Sequence, residues 1–209
     1  MLDNRARQHG IPRGDQISDR AKRLFGREGG MNRKLSGMLV AGGIAAFAVG
    51  FAHAQEFSTR LTGFEELGAL NAETGAILSN GKGTLSLDVD KSQITYKLTY
   101  SGLSAPVTQA HIHFGKIHVP GGVMVFFCTN LGNGPAGTPA CPANGGTVTG
   151  TWTATSVVGP AAQNVSPGDF DAVLDALNSN TAYANIHTTK FPAGEIRGQV
   201  RRGDRDDDK

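Results

Sequence analysis

The chain has 209 residues, 39% of them hydrophobic and 18% charged, with two cysteines and a formal net charge of +2. That charge is unevenly held. Residues 1–54 carry nine Lys and Arg against four Asp and Glu, a net +5, whereas residues 55–209 carry eleven against fourteen, a net −3. The mildly acidic part offers no basic patch for nucleic acid, and its roughly 155 residues suffice for one domain with its own core.

Residues 1–30 are basic and polar without apolar periodicity, and read as an over-extended gene start or a disordered n-region ahead of a true initiator at Met31. Residues 31–54 have the three parts of a secretory signal peptide. Arg33 and Lys34 supply the positive charge, Met38 to Phe51 is apolar, and Ala52-His53-Ala54 is an A-x-A site that predicts cleavage between Ala54 and Gln55. The apolar run is shorter than the roughly 20 residues of a membrane-spanning helix. A secreted or periplasmic protein with no stable membrane span after cleavage is therefore expected.

From residue 55 onward the chain reads as short strands. Thr84–Val89 and Gln93–Tyr100 alternate polar and apolar residues around Asp90-Lys91-Ser92, the pattern of a β-hairpin with one buried face. Leu85, Leu87, Val89, Ile94, Tyr96, Leu98 and Tyr100 are expected in the core. Further strands are predicted over 57–61, 107–114, 123–128, 147–154, 182–187 and 196–200, separated by loops rich in Gly, Pro and Asn. About eight short antiparallel strands predict a mainly β fold, a β-sandwich. One short helix interrupts them: Ser166-Pro167-Gly168-Asp169 reads as a cap with Pro at the first helical position, and Phe170, Val173, Leu174 and Leu177 recur at helical spacing. The charged segment 201–209 is expected to be a disordered tail.

Cys128 and Cys141 form an even pair in a chain expected to be exported, most simply one disulfide closing a loop of Gly, Pro, Asn and Thr. Such a bridge is worth about 3 kcal/mol for a loop this short.

Two polar clusters carry the candidate chemistry. In Ala110-His111-Ile112-His113-Phe114-Gly115, the histidines sit two apart, so on a strand both imidazoles share a face. In the stretch 182–199, Tyr183, Asn185 and His187 share one face, as do Glu195, Arg197 and Gln199. If these strands are neighbours, His111, His113 and His187 converge near an acid and a base. Neutral imidazoles suit copper and zinc, with His118 either a fourth ligand or a loop residue. The other reading is a structural polar lock of Asn185, Glu195, Arg197 and Gln199, with the histidines as hydrogen-bonded members.

These two clusters, with Leu61-Thr62-Gly63, the Thr74-Gly75 turn and the hairpin 85–100, resemble the CHRD domain family, the module first described in chordin and found in many bacterial secreted proteins. The resemblance runs from Glu56 to Val200 and implies a β-sandwich outside the cytoplasm, without an agreed reaction. Nothing here matches the Cys-rich growth-factor-binding modules beside such domains in chordin. His111-Ile112-His113-Phe114-Gly115 is also similar to the H-V-H-E-F-G segment of copper/zinc superoxide dismutase, whose histidines bind copper; the run of bridging and zinc-binding residues of that family has no counterpart before His187. No G-x-S-x-G, H-E-x-x-H or P-loop supports a hydrolase or nucleotide enzyme. Two functions remain: a non-catalytic binding or structural module of the periplasm or cell surface, with a protein or surface ligand as partner, or a mononuclear copper or zinc protein with superoxide-dismutase-like chemistry.

Overall fold

The alternation in the sequence becomes one rolled antiparallel sheet in the computed structural model, which describes residues 55–67 and 75–203. In chain order the strands are β1 (Gln55–Thr62), β2 (Lys82–Asp90), β3 (Gln93–Ser101), β4 (Val107–Phe114), β5 (Gly122–Thr129) and β6 (Gly146–Trp152). Then come the helix α1 (Phe170–Asn178), β7 (Ala182–Thr188), β8 (Ile196–Gln199) and β9 (Arg201–Arg202). The hydrogen-bonded order is β5-β4-β7-β8-β1-β2-β3-β6, with β9 beside β1. The fold is therefore mainly β with one short helix, and its two packed faces belong to a single, nearly closed, barrel-like sheet.

The hairpin has the expected phase. Leu85 faces Leu98, Leu87 faces Tyr96 and Val89 faces Ile94, all buried, while the intervening residues face water. This half-buried alternation is what pleated geometry requires of a sheet with one dry face. Strand β7 departs from it, since all seven residues are buried. Ala182, Ala184 and Ile186 pack into the hydrophobic core, while Tyr183, Asn185 and His187 lie on the opposite face, covered by loops rather than solvent.

β5 and β6 end the path without a ladder between them. Side chains close that seam: Trp152 Nε1–H donates to the Phe126 carbonyl at 2.7 Å and the Tyr96 hydroxyl donates to the Phe127 carbonyl at 2.9 Å. The Val158 N–H donates to Met124 O at 2.9 Å. Three carbonyls on an otherwise open edge thereby gain partners, as buried backbone acceptors must. The Tyr96, Phe127 and Trp152 rings pack together over the same seam, with centroids 4.6–5.2 Å apart.

Cys128, at the end of β5, is bonded to Cys141. The helix begins later than its sequence signals suggest. Its cap is Asp169, whose side chain accepts from the Ala172 N–H, rather than Ser166. Gly168, at φ +87°, turns the chain through the left-handed region and prevents Ser166 and Pro167 from joining the helix. Val173, Ala176 and Leu177 are buried, and Phe170 and Leu174 pack against the core. The segment expected as a charged tail starts inside the sheet, because Arg201 and Arg202 pair with Ser58 and Phe57. Residues 1–30, the signal peptide, Thr74 and residues 204–209 lie outside the described residues; Gln55, expected as the mature N-terminus, is the first residue of β1. Among the described residues no helix is long and apolar enough to cross a membrane.

Candidate metal centre

The outward face of β4, β7 and β8 carries a polar layer laid out by register. His113, Tyr183 and Gln199 form one row across the three strands, and His111, Asn185 and Arg197 form the next. His187 lies opposite Gln109, one step diagonally from His111. A register shift between Val107 and Gln109 precedes this step. Two further shifts in the β4–β5 pairing set Phe126 opposite His111 and Val123 opposite His113. Such bulges re-aim side chains from the regular pleat.

The three histidines converge. Each offers one ring nitrogen, and the three nitrogens lie within 4.8 Å of one another. All three residues are buried, at 2%, 8% and 6% exposure for His111, His113 and His187. His187 Nδ1 lies 2.9 Å from the Pro192 carbonyl and His113 Nδ1 lies 2.9 Å from the Gly121 carbonyl. A carbonyl only accepts, so each Nδ1 carries its proton and each Nε2 presents a lone pair. This is the backbone-to-imidazole support that orients metal-binding histidines. The Nε2 atoms of His113 and His111 have no hydrogen-bond partner. His111 Nδ1 stands 3.3 Å from His187 Nε2, a separation that serves a hydrogen bond and equally two nitrogens about 2.0 Å from one tetrahedral ion.

The electrostatics keep the rings neutral. Burial, with repulsion from His187 and His113, pushes His111 down to about 2. Burial lowers His113 to about 4 against the opposing Gly121 hydrogen bond, with further lowering from His187 and Arg197. Burial also lowers His187, against its bond to Pro192. Neutral imidazole is the form that ligates metal. The walls are aromatic: Phe126 meets His111 edge to face at 4.4 Å, and Tyr183 stacks on His113 at 4.8 Å with the planes 3° apart.

The acid and base expected beside the histidines do not pair with each other. The Glu195 carboxylate accepts from the Ser79 hydroxyl at 2.7 Å, the Ser104 N–H at 2.7 Å and the Thr188 hydroxyl at 2.8 Å. It is a fully buried hub that ties the segment before β2 and the β3–β4 loop to the end of β7. Arg197 instead donates to the carbonyls of Lys116 and Val119, and its guanidinium lies 3.4 Å over the Tyr183 ring. Gln199 donates to the carbonyls of Gly115 and Asn180. Arg197 and Gln199 thus hold down the 115–121 loop, and Tyr183 joins them by accepting from the Gly121 N–H at 3.0 Å. His118, on that loop, is exposed and lies 3.6 Å from Glu65, apart from the three histidines.

One buried acid of this layer carries no pattern in the sequence. Glu66, 3% exposed, lies just after the turn that follows β1. Burial pushes its carboxyl up to about 7, while the Leu67 N–H, the charge of Arg197 and the Asn185 side chain pull it down. Gly194, at φ +135°, makes room for it: a Cβ there would fall 2.5 Å from Glu66 Oε1 and 2.6 Å from the Asn185 amide. Only glycine fits both the conformation and the space.

A disulfide-bonded, antiparallel β module whose sheet buries a three-histidine cluster under a pinned loop is the class of protein that this fold and site define. The chain belongs to the CHRD domain family, whose pattern it matches over residues 57–200. No curated protein and no solved structure matches the chain significantly. The disulfide is consistent with an extracytoplasmic location.

Proposed function

We propose that this CHRD domain is an exported module that holds one transition-metal ion, copper or zinc, between His111, His113 and His187. The observation that carries this reading is the convergence of three buried neutral imidazole nitrogens within 4.8 Å, two of the rings locked by backbone carbonyls so that Nε2 presents a lone pair. A purely structural cluster would leave His111 Nε2 and His113 Nε2 desolvated without partners, at a cost of about 1–3 kcal/mol each. A bound ion takes up the His113 Nε2 lone pair and removes that cost there; at His111 the nitrogen beside His187 is Nδ1. Burial of all three rings favours retention of the ion over turnover, so metal holding is the reading here rather than dismutation.

Two of the residues grouped as a structural lock, Arg197 and Gln199, hold the loop that covers the histidine face. Tyr183 joins them on that loop, while Glu195 separately ties the segment before β2 to the end of β7 and bonds no histidine nitrogen. Metal content of the purified, disulfide-bonded protein tests the proposal. About one equivalent of copper or zinc in the parent, and less than a tenth of that in a folded His111→Ala/His113→Ala variant, is expected. A parent that takes up neither ion would return the histidines to a structural role and turn attention to protein or surface ligands.

A further inference from the structure

The charge environment of the three-histidine site distinguishes among the ions it would accept, an inference that rests on the metal-site reading above. Among the described residues the ligand group is three imidazoles, with no thiolate and no carboxylate. Glu195, the fully buried acid nearest in sequence to His187, is taken up by Ser79, Ser104 and Thr188. The other, Glu66, sits against Asn185 and Leu67 rather than among the ligand atoms. On the remaining side stands the positive charge of Arg197, partly offset by Glu66 and Glu65. The Arg197 guanidinium, Tyr183 ring and His113 ring form a stack, with 3.4 Å from guanidinium to ring centroid and 4.8 Å from ring to ring.

An ion entering this site keeps its full charge, because every ligand is neutral. The desolvation cost of a buried ion grows with the square of its charge, so a dication costs about four times as much as a monocation of similar size. Repulsion from Arg197 doubles as well. Divalent ions offset these costs elsewhere with carboxylate or thiolate ligands or, where three histidines hold zinc, with a water or hydroxide in an open fourth position; the three imidazoles here are buried and bring no anion of their own. A monovalent ion that accepts three nitrogen ligands in a nearly dry pocket meets neither obstacle to the same degree. Copper is the first-row metal with a stable monovalent state, and imidazole suits it.

We propose that the site formed by His111, His113 and His187 selects copper in its monovalent state over both zinc(II) and copper(II). The test is an anaerobic titration of the purified, disulfide-bonded protein with Cu(I) against a competing Cu(I) chelator. Parallel titrations use Zn(II) and Cu(II), each against a chelator of known affinity. The expected result is one Cu(I) per chain, held at least 100-fold more tightly than Zn(II) and at least 100-fold more tightly than Cu(II). The second ratio corresponds to a reduction potential raised by about 120 mV over the free copper couple. Imidazole 15N shifts of the parent protein locate the ion without a variant, moving on Cu(I) addition at His111, His113 and His187.

Zn(II) or Cu(II) held as tightly as Cu(I), with the same three rings shifting, would overturn the selectivity while leaving the metal site intact. Failure of all three ions to bind would overturn the metal-site reading itself. Cu(I) bound without shifts at these rings would overturn both.

Discussion

Replacing Glu195 with alanine separates the two polar systems of this face. The carboxylate accepts three hydrogen bonds of 2.7–2.8 Å from Ser79, Ser104 and Thr188, and the residue is fully buried. A hydrogen bond to a charged group contributes about 1.5–3 kcal/mol, and a buried donor left unpaired adds a desolvation cost. The Ser79 and Thr188 hydroxyls can rotate toward other acceptors, but the Ser104 N–H cannot. A loss of about 4 kcal/mol follows for Glu195→Ala, near the upper end for point substitutions. For a domain of this size that is roughly 8–16 °C in Tm. Glu195→Gln keeps an oxygen for Ser79 and Ser104 and presents its NH2 to Thr188, so about half the loss is expected. Urea unfolding followed by Trp152 fluorescence measures both variants. The histidine nitrogens make no bond to Glu195, so the metal affinity of the folded fraction should stay within about threefold of the parent. A Glu195→Ala protein within about 1 kcal/mol of the parent would refute the hub. So would a folded variant that had lost metal binding tenfold.

Further predictions concern the seam, the disulfide and pH. Trp152→Phe leaves the Phe126 carbonyl without its donor and should cost about 1–3 kcal/mol in urea unfolding; an unchanged midpoint would mean that the seam is not closed by this bond. Reduction of Cys128–Cys141, or the paired Cys→Ser variant, should lower stability by about 3 kcal/mol, read from thermal scans with and without reductant. Glu66 has its folded pKa raised from 4.5 to about 7, so the folded state holds a proton that the unfolded chain releases. Its contribution is fully present below about pH 4.5 and is lost as pH rises through 7. Glu66→Gln should therefore gain stability relative to the parent between pH 5 and pH 8, by up to about 3 kcal/mol, and a flat difference would sink that assignment. The histidines act in the opposite direction. Their folded pKa values are depressed, to about 4 for His113 and about 2 for His111. The metal-free protein should lose stability as pH falls from about 6.5 toward 4, and bound metal should oppose that loss down to the pH at which protons displace it.

The strands were legible because one dry face imposes a period of two. Leu85–Val89 and Ile94–Tyr100 face inward as their alternation requires. The closure of the sheet was not, because it depends on Trp152 and Tyr96 reaching backbone carbonyls of a strand far away in sequence. Ser166-Pro167 imitates a helix start, and the left-handed Gly168 between it and Asp169 decides the true cap. The three histidines were legible as candidates because an i, i+2 pair on a strand must share a face. Their meeting with His187 depends on β4 lying beside β7, with a diagonal step no spacing rule supplies. The partners of Glu195 and Arg197 have no signal in the sequence for a related reason. The two stand close in sequence, yet each bonds to a loop, and loop paths leave no periodic signal. Glu66 belongs to no motif, and only the folded chain brings it against Asn185 and Gly194.

The most direct measurement is a crystal structure of the protein loaded with copper or zinc, with anomalous diffraction recorded on both sides of the metal's absorption edge. The account predicts one peak about 2.0–2.1 Å from a ring nitrogen of each of His111, His113 and His187, with the Nδ1 atoms of His113 and His187 still on the Gly121 and Pro192 carbonyls. A peak elsewhere, such as beside the exposed His118 and Glu65 pair, or three empty histidines in a metal-soaked crystal, would contradict it.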